Sequence, residues 1–349
     1  MKTEFFEIYP SDINSSAIAR CADIIRSGGL VAMPTETVYG LGADATDPEA
    51  ARKIYAAKGR PSDNPLIIHI SSPQDAEPYA HTGELYYRLA AAFMPGPLTV
   101  ILPKKDTIPG EVTGGLDSVA VRCPAHEVAR ALISAAGVPI AAPSANISGA
   151  PSPTSADHVK KDMDGKIDAI IDGGECDIGL ESTIVKLDGN KAIRLRPGAI
   201  TADALTCVCE SVEIAPAVTE ALGENERPLS PGMKYRHYAP SSPLVLLDGE
   251  SNDVLEFLKK ASASERCVIL CYSEELCELA GASTIDVGCR DDLATQSHRL
   301  FSALREADSI GGDIIYAHLP KASGLGLALY NRMIRAAAHT VKKISSNRK

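Results

Sequence analysis

The chain has 349 residues, of which 45% are hydrophobic and 23% charged, and its formal net charge at pH 7 is −10. This length allows two domains with separate cores, and the composition is that of an ordinary globular protein. The negative balance argues against a nucleic-acid-binding surface over the whole protein, because phosphate contacts need a basic face, but it is compatible with a small cationic pocket.

The spacing of hydrophobic residues over the first 200 residues predicts alternating helices and strands. Some predicted strands follow one another without a helix between them, which indicates a mixed α/β sheet. The predicted helices are 12–27, 47 to about 59, 84–94, 126–136 and 154–163. The predicted strands are 30–33, 65–70, 98–102, 119–122, 139–142, 169–171, 183–187 and 192–195.

The pattern weakens between about residues 201 and 240, where Ser230–Pro240 concentrates aromatic and basic side chains between prolines. An inert linker is usually Gly/Ser-rich or Pro-rich without such side chains. The segment is interpreted either as part of a site or as a docked structural connector.

Beyond residue 243, the alternation of strand and helix patterns resumes and predicts a small three-layer α/β domain. Its predicted strands are 244–247, 268–270 and 314–317, and its predicted helices are 254–260, 293–307 and 327–338.

We therefore expect three regions: residues 1–200 as an α/β catalytic domain, 201–242 as a connector, and 243–349 as a C-terminal α/β domain.

No stretch reaches the roughly 18 apolar residues of a membrane span, and the first residues do not resemble a secretory signal. Nine cysteines occur without a Cys-x-x-Cys pair. We expect unpaired thiols in a cytoplasmic protein, without a protein-bound metal or membrane contact.

Polar segments next to Gly and Pro follow several predicted strands or helices. Ligands of open α/β sheets bind where strands end, so we expect these segments to line one cleft. Fixed cations and hydroxyl donors suit phosphates and a carboxylate, which predicts a nucleotide-using enzyme. The segments are Pro34–Gly40, Lys58–Pro61 with Asn64, Arg122–Pro124, Pro143–Asn146 and Arg194–Gly198.

Each candidate also has an ordinary structural interpretation. Lys58 lies at the end of a predicted helix, where a cation favours the helix dipole. Ser144 is a typical turn former, and no Gly-x-Ser-x-Gly elbow surrounds it, which excludes a hydrolase nucleophile there. Arg122 ends a strand, where a lone arginine is usually solvated, and His69 within an apolar strand is usually a core histidine. Their joint occurrence is what favours a site.

On these motifs the chain resembles the YrdC-type L-threonylcarbamoyladenylate synthases in their long, two-domain form. The resemblance rests on Pro34–Gly40, Lys58-x-Arg60, Pro143–Asn146 and Ser230–Pro240, and covers roughly residues 12–240. The remainder resembles the family's second domain by position and pattern only. The resemblance implies a YrdC-like mixed twisted sheet with flanking helices, followed by a smaller Rossmann-like α/β domain.

The resemblance also implies the reaction. The family condenses L-threonine, bicarbonate or CO2 and ATP into threonylcarbamoyl-AMP and pyrophosphate, and Mg2+ accompanies the nucleotide. A separate downstream transferase then forms threonylcarbamoyladenosine in tRNA, so no direct stable nucleic-acid binding is expected. The family's catalytic signature corresponds to Lys58, Arg60, Ser144 and Asn146. ATP would be bound by Arg60, Asn64, Ser118, Ser144, Ser152, Arg196 and Tyr238. L-Threonine would be bound by Thr37, His69, Arg122, Ala142 (through its backbone) and Ser182.

The implied chemistry places demands on the pocket. The threonine amine must be neutral to attack CO2 or bicarbonate, so we expect no carboxylate against it. The resulting carbamate decomposes readily in water, so the site must exclude solvent, and Tyr238 is expected to act as part of a lid. No nucleophile or base stands out, so the acceleration is expected to come from positioning two labile reactants.

Two rival interpretations belong to other functional classes. An RNA-binding or ribosome-maturation factor on the same concave sheet would need a continuous basic surface, against which the net charge counts. A carbamoyl transferase of the hydrogenase-maturation type would carry an acylphosphatase-like segment and Cys-x-x-Cys zinc fingers, and we find neither in this sequence.

Overall fold

The computed structural model describes residues 2–218 and 237–345. They form two compact units, one of residues 2–148 with 152–218 and one of residues 149–151 with 237–345. Residues 230–236 of the predicted aromatic and basic segment lie outside the described residues. Within the described ranges, no helix is both long and apolar enough to cross a bilayer.

The N-terminal unit contains an eleven-stranded mixed sheet with helices packed on it, which confirms the predicted fold class. Its strands are β1 (Glu4–Glu7), β2 (Val31–Met33), β3 (Gly40–Asp44), β4 (Ile67–His69), β5 (Leu98–Pro103), β6 (Ser118–Arg122), β7 (Ile140–Ala141), β8 (Ala169–Asp172), β9 (Thr183–Asp188), β10 (Lys191–Arg196) and β11 (Ser211–Ile214). Their order across the sheet is β1-β8-β2-β3-β7-β4-β6-β5-β9-β10-β11. The helices are α1 (Ser15–Arg26), α2 (Pro48–Lys58), α3 (Glu84–Phe93), α4 (Gly110–Thr113), α5 (Glu127–Ala136), α6 (Ala156–Met163) and α7 (Ala202–Thr206).

Local signals define helix α2, which ends at the candidate site. The Asp47 carboxylate accepts a hydrogen bond from the Glu49 backbone N–H at 2.8 Å, and Pro48 occupies the first helical position. At the other end, Gly59 adopts the left-handed conformation with φ of 62°, which glycine tolerates without a Cβ penalty. The observed bounds therefore confirm the prediction from Asp47-Pro48 and Gly59.

Strand β3 was missed because it contains two glycines, which have low strand propensity. A Cβ on Gly42 would come within 2.7 Å of the Ile140 side chain, so glycine is needed there for strands to pack closely. Strands β1 and β11 and helix α7 were also missed. They are short, and β1 and β11 are partly exposed, so they lack a clear apolar pattern.

The two faces of the central strands differ in character, because successive side chains of a strand point to opposite faces. One face packs into the main core together with helix α3, through Ile68, Val100 and Val121. The other face carries a small apolar cluster of Ile67, Ile101, Ala120, Ile184 and Leu195. Ile67 and Ala120 lie two residues from His69 and Arg122, so this second face is the one that presents polar side chains.

The C-terminal unit contains a five-stranded sheet, in which all four neighbouring strand pairs are parallel. Parallel neighbours require crossover connections, which the intervening helices supply. Its strands are β12 (Leu244–Asp248), β13 (Cys267–Cys271), β14 (Thr284–Asp286), β15 (Ile314–His318) and β16 (Val341–Lys343), in the order β14-β13-β15-β12-β16. Its helices are α8 (Ser251–Ser264), α9 (Leu293–Ile310) and α10 (Gly326–Ala336). The short strands β14 and β16 were not predicted.

Removing the cap of helix α2 tests the local account of this element. We expect Asp47→Ala to lower the free energy of unfolding by about 1 kcal/mol, because the Glu49 N–H loses its acceptor. Asp47→Asn keeps a capping oxygen and should lose much less. Chemical denaturation of both variants measures the difference, and equal losses would contradict the capping role.

Candidate active site

Lys58, Ser144 and Asn146 form one hydrogen-bonded cluster. The buried Lys58 ammonium donates to the backbone carbonyl oxygens of Ser144 and Asn146, each at 2.5 Å. The Ser144 hydroxyl donates to Asn146 Oδ1, and a bridge between Gly40 and Ser144 joins this loop to strand β3. Lys58 therefore organises the loop after β7 in addition to placing a positive charge there.

Arg60 and Asn64 lie in the loop that follows helix α2. The buried guanidinium of Arg60 donates to the carbonyl oxygens of Asn64 and Pro65 at 3.3 and 3.2 Å. Asn64 Oδ1 is buried without a hydrogen-bond partner among the described residues. Ile67 pairs with Ala120, so Ser118 at the start of β6 lies near the residues that precede β4. These candidates therefore share one end of the β4–β6 pair.

A single row of side chains crosses strands β4, β6, β5, β9 and β10. His69 pairs with Arg122, Arg122 with Thr99, Thr99 with Ile184, and Ile184 with Arg196. Paired residues on neighbouring strands point to the same face of a sheet. The register thus places His69, Arg122 and Arg196 in one row on the same face of the sheet, although they are far apart in the sequence.

Arg122 is buried, with 4% of its surface exposed, so its interpretation as a solvated arginine is wrong. Its guanidinium donates to Glu36 Oε1 at 2.8 Å in a buried ion pair. Arg122 Nε and Glu36 Oε2 are buried and have no hydrogen-bond partner among the described residues. The described residues therefore satisfy this pair only in part.

His69 is a buried histidine that also lies beside Arg122. Burial, and secondarily the charge of Arg122, lowers the pKa of His69 to about 3. The imidazole is therefore neutral at physiological pH and offers one donor and one acceptor nitrogen. Its Nδ1 lies 3.2 Å from the Ile67 carbonyl oxygen.

Ser182 links the row to a second group of candidates. Its hydroxyl shares a hydrogen bond of 2.7 Å with the Thr99 hydroxyl and accepts one from Arg196 at 3.1 Å. The neighbouring Glu181 accepts a hydrogen bond from the Ser152 hydroxyl at 2.6 Å. Ser182, Thr99 and Arg196 therefore form one hydrogen-bonded network, and Ser152 and Glu181 form a separate pair at the neighbouring residue. Thr99 and Glu181 were not predicted.

Thr37 and Ala142 lie on segments attached to the same region. Thr37 follows Glu36, and its hydroxyl lies 2.9 Å from that of Thr35, which donates to the Val38 carbonyl oxygen. These bonds form a tight polar turn that sets the course of Pro34–Gly40. The Ala142 N–H donates to the Ile67 carbonyl oxygen at 2.8 Å, which holds the end of β7 against β4.

The arrangement differs from the expectation in one respect. Candidates lie along one face of the sheet and not at a single edge, since Ser118 and Arg122 occupy opposite ends of β6. The reason is that a mixed sheet does not collect its carboxyl ends on one side. The buried carboxylates of Glu36 and Glu181 also lie among the candidates, and the expectation that no carboxylate lies against the substrate amine stays a prediction. A buried guanidinium needs such a counter-charge.

Tyr238 belongs to the C-terminal unit. It is buried, adopts a positive φ of 63°, and its ring centroid lies 5.2 Å from that of Phe301. The Arg332 guanidinium lies 5.9 Å from the Tyr238 ring centroid. Its expected part in nucleotide binding stays a prediction.

The fold and the gathered side chains define an α/β protein of the YrdC-like class with a second α/β domain. A family model described as telomere recombination, for Sua5, YciO and YrdC proteins, matches residues 23–198. A second model, described as the C-terminal domain of threonylcarbamoyl-AMP synthase, matches residues 200–338. The chain belongs to the threonylcarbamoyl-AMP synthase family in its two-domain form.

Relatives and solved structures agree with this assignment over nearly the whole chain. The chain is 45% identical to threonylcarbamoyl-AMP synthase of Pyrococcus abyssi, covering 93% of this chain and 94% of that protein. It is 42% identical to the Bacillus subtilis protein of the same name, covering 98% and 99%. The crystal structure of P. abyssi Sua5 complexed with L-threonine superposes with a TM-score of 0.91 at 42% identity, covering 98% of this chain and 100% of that one.

The neutral state of His69 predicts a pH dependence of stability. The folded pKa of about 3 lies below the ordinary value of 6.5, so the unfolded state binds the extra proton between these values. Stability is therefore lost as the pH falls below about 6.5. Relative to His69→Gln, the wild type should lose about 1.4 kcal/mol per pH unit between pH 6 and 4 in urea titrations. Parallel curves for the two proteins would show that His69 is not kept neutral.

Proposed function

We propose that this protein is an L-threonylcarbamoyladenylate synthase. It condenses L-threonine, bicarbonate or CO2 and ATP into threonylcarbamoyl-AMP and pyrophosphate, for threonylcarbamoyladenosine formation in tRNA. The supporting observation is the row of side chains across β4, β6, β5, β9 and β10. It contains residues expected to bind the threonine, such as Arg122, and a residue expected to bind the nucleotide, Arg196. The names of the similar proteins, and the L-threonine complex of the P. abyssi structure, point to the same reaction.

The amino-acid part of the site centres on Arg122. A guanidinium binds a carboxylate through a planar fork of donors, and Arg122 Nε has no other partner among the described residues. The hydroxyls of Thr37 and Ser182 and the neutral His69 supply hydrogen bonds for a hydroxyl-bearing side chain. A neutral imidazole suits this role, because it adds no second positive charge beside Arg122.

The nucleotide part of the site combines fixed charges with a preformed loop. Arg60 and Arg196 are buried cations held by backbone and hydroxyl oxygens, so little ordering is required when phosphates bind. Lys58 holds the Ser144–Asn146 loop and adds charge. The described residues contain no group of three or more His, Cys, Asp or Glu side chains that could hold a metal ion. Mg2+ would therefore be held mainly by phosphate oxygens and water, where it would neutralise phosphate charge.

Catalysis then rests on placement and charge stabilisation. The neutral threonine nitrogen forms a bond to the carbon of CO2 and loses one proton to solvent, or it displaces hydroxide from bicarbonate, which leaves as water together with that proton. A carbamate oxygen then displaces pyrophosphate from the α-phosphorus. Cations around the phosphates stabilise the charge that develops there. The product is a labile mixed anhydride, so a separate transferase has to consume it. No observation on the described residues favours an RNA-binding factor.

Replacing Lys58 tests its role in the reaction. We expect Lys58→Ala to lower the rate of adenylate formation about 100-fold or more, because both the charge and the loop contact are lost. Pyrophosphate release measures the rate. Lys53→Ala is the matched control, since Lys53 lies on the same helix and donates to the Gly28 carbonyl oxygen. Near-normal turnover of Lys58→Ala would remove this residue from the mechanism.

The identity of the product tests the proposed function as a whole. Incubation with ATP, bicarbonate and L-threonine should yield threonylcarbamoyl-AMP, detected by mass spectrometry. Omitting any of the three substrates should abolish the signal. Formation of AMP or ADP without the threonine-containing product would contradict the proposal.

A further inference from the structure

Glu36 carries an acceptor atom that nothing in the described protein satisfies. One oxygen, Oε1, accepts a hydrogen bond from Arg122 at 2.8 Å, while Oε2 is buried and has no partner among the described residues. Only 5% of the Glu36 surface is exposed. A buried carboxylate oxygen without a donor is costly, so it marks a position where a ligand donor would be favourable.

The charge balance indicates which donor this is. Glu36 and Arg122 together are neutral, and both are buried. If only a carboxylate were added on Arg122, the pocket would hold two negative charges against one positive charge. An α-amino acid arrives as a zwitterion, whose ammonium and carboxylate groups complement Glu36 and Arg122 and keep the pocket neutral.

We propose that Glu36 is the ammonium-recognition residue of the amino-acid site and that it also positions Arg122 for the substrate carboxylate. This inference rests on the proposed L-threonine site and extends it. In the ground-state complex Glu36 Oε2 accepts a hydrogen bond from the ammonium group, while Oε1 continues to hold the guanidinium. The ammonium then has to lose a proton before its nitrogen can attack the carbon of CO2 or bicarbonate. The pair therefore selects α-amino acids over hydroxy acids of the same shape.

The local turn supports this role. The Thr35 hydroxyl donates to the Val38 carbonyl oxygen and accepts from the Thr37 backbone N–H, which closes the turn around Glu36. The Glu36 carbonyl oxygen accepts a hydrogen bond from the Ile178 N–H. The backbone of Glu36 is thus held on both sides, and its side chain is directed by the protein before substrate binds.

Other ionisable groups near Glu36 do not obscure a test at alkaline pH. Charges on Glu36 interact with Arg122, His126, Cys123 and Cys176. Burial lowers the pKa of His126 and raises the pKa of both thiols, that of Cys123 to about 11. Between pH 7 and 10, the His126 imidazole and these two thiols therefore keep their charge, whereas the amine of a bound amino acid changes its own.

Calorimetric titration of the full-length protein tests the proposal with two probes. One is L-threonine, and the other is 2,3-dihydroxybutanoate, in which a hydroxyl replaces the ammonium group. We expect Glu36→Gln to weaken L-threonine binding about 10- to 100-fold, the range for one charge-assisted hydrogen bond. Binding of the hydroxy acid should be unchanged or tighter, because Arg122 loses its competing carboxylate. Glu36→Asp, which keeps the charge, should recover part of the affinity for L-threonine.

Glu275→Gln is the matched control, since Glu275 is a buried glutamate paired with Arg290 in the C-terminal unit. It should bind L-threonine as the wild type does. Equal or tighter binding of L-threonine by Glu36→Gln would overturn the proposal and leave Glu36 as a counter-ion only. If that variant does not fold, wild-type affinity that stays constant while the substrate amine deprotonates toward pH 10 overturns it instead. A wild type that does not bind L-threonine at all would refute the proposed function itself.

Discussion

A buried guanidinium is the constraint around which the N-terminal unit is arranged. Arg122 ends strand β6 within the protein, and an unpaired cation there would be strongly destabilising. Glu36 supplies the opposite charge, so the segment Pro34–Gly40 must lie beside Arg122. The Thr35 turn holds that segment in place. The same requirement explains why a carboxylate lies among the candidate site residues.

The two faces of the central sheet differ in role: one packs into the main core, and the other carries the candidate site residues. Ile68, Val100 and Val121 point into the main core, where apolar burial provides the driving force for folding. The opposite face carries both the small apolar cluster around Ile67 and the row of side chains that runs from His69 to Arg196. Because the strands are already packed on one side, polar groups on the other are positioned by rigid backbone and not by flexible loops.

Elements with strong local signals were predictable, and elements defined by their neighbours were not. Helix α2 was predicted from Asp47, Pro48 and Gly59, since capping and backbone preference act within a few residues. Strand β3 was missed because its Gly42 is needed for close approach to Ile140, a contact across the sheet. Thr99 and Glu181 were missed for the same reason: neither belongs to a motif, and both gain a role only through their partners.

The sequence by itself determined the class of fold, the ends of helix α2 and the chemical types of the candidate site residues, through motifs of only a few positions. Tertiary structure decided which of those residues meet. Lys58 reaches Asn146 across 88 residues, Glu36 reaches Arg122 across 86, and Thr99 reaches Ser182 across 83. Such pairs depend on strand order and register, which arise from packing of the whole sheet. A one-residue shift in register would send each side chain to the opposite face, so local patterns cannot specify the site.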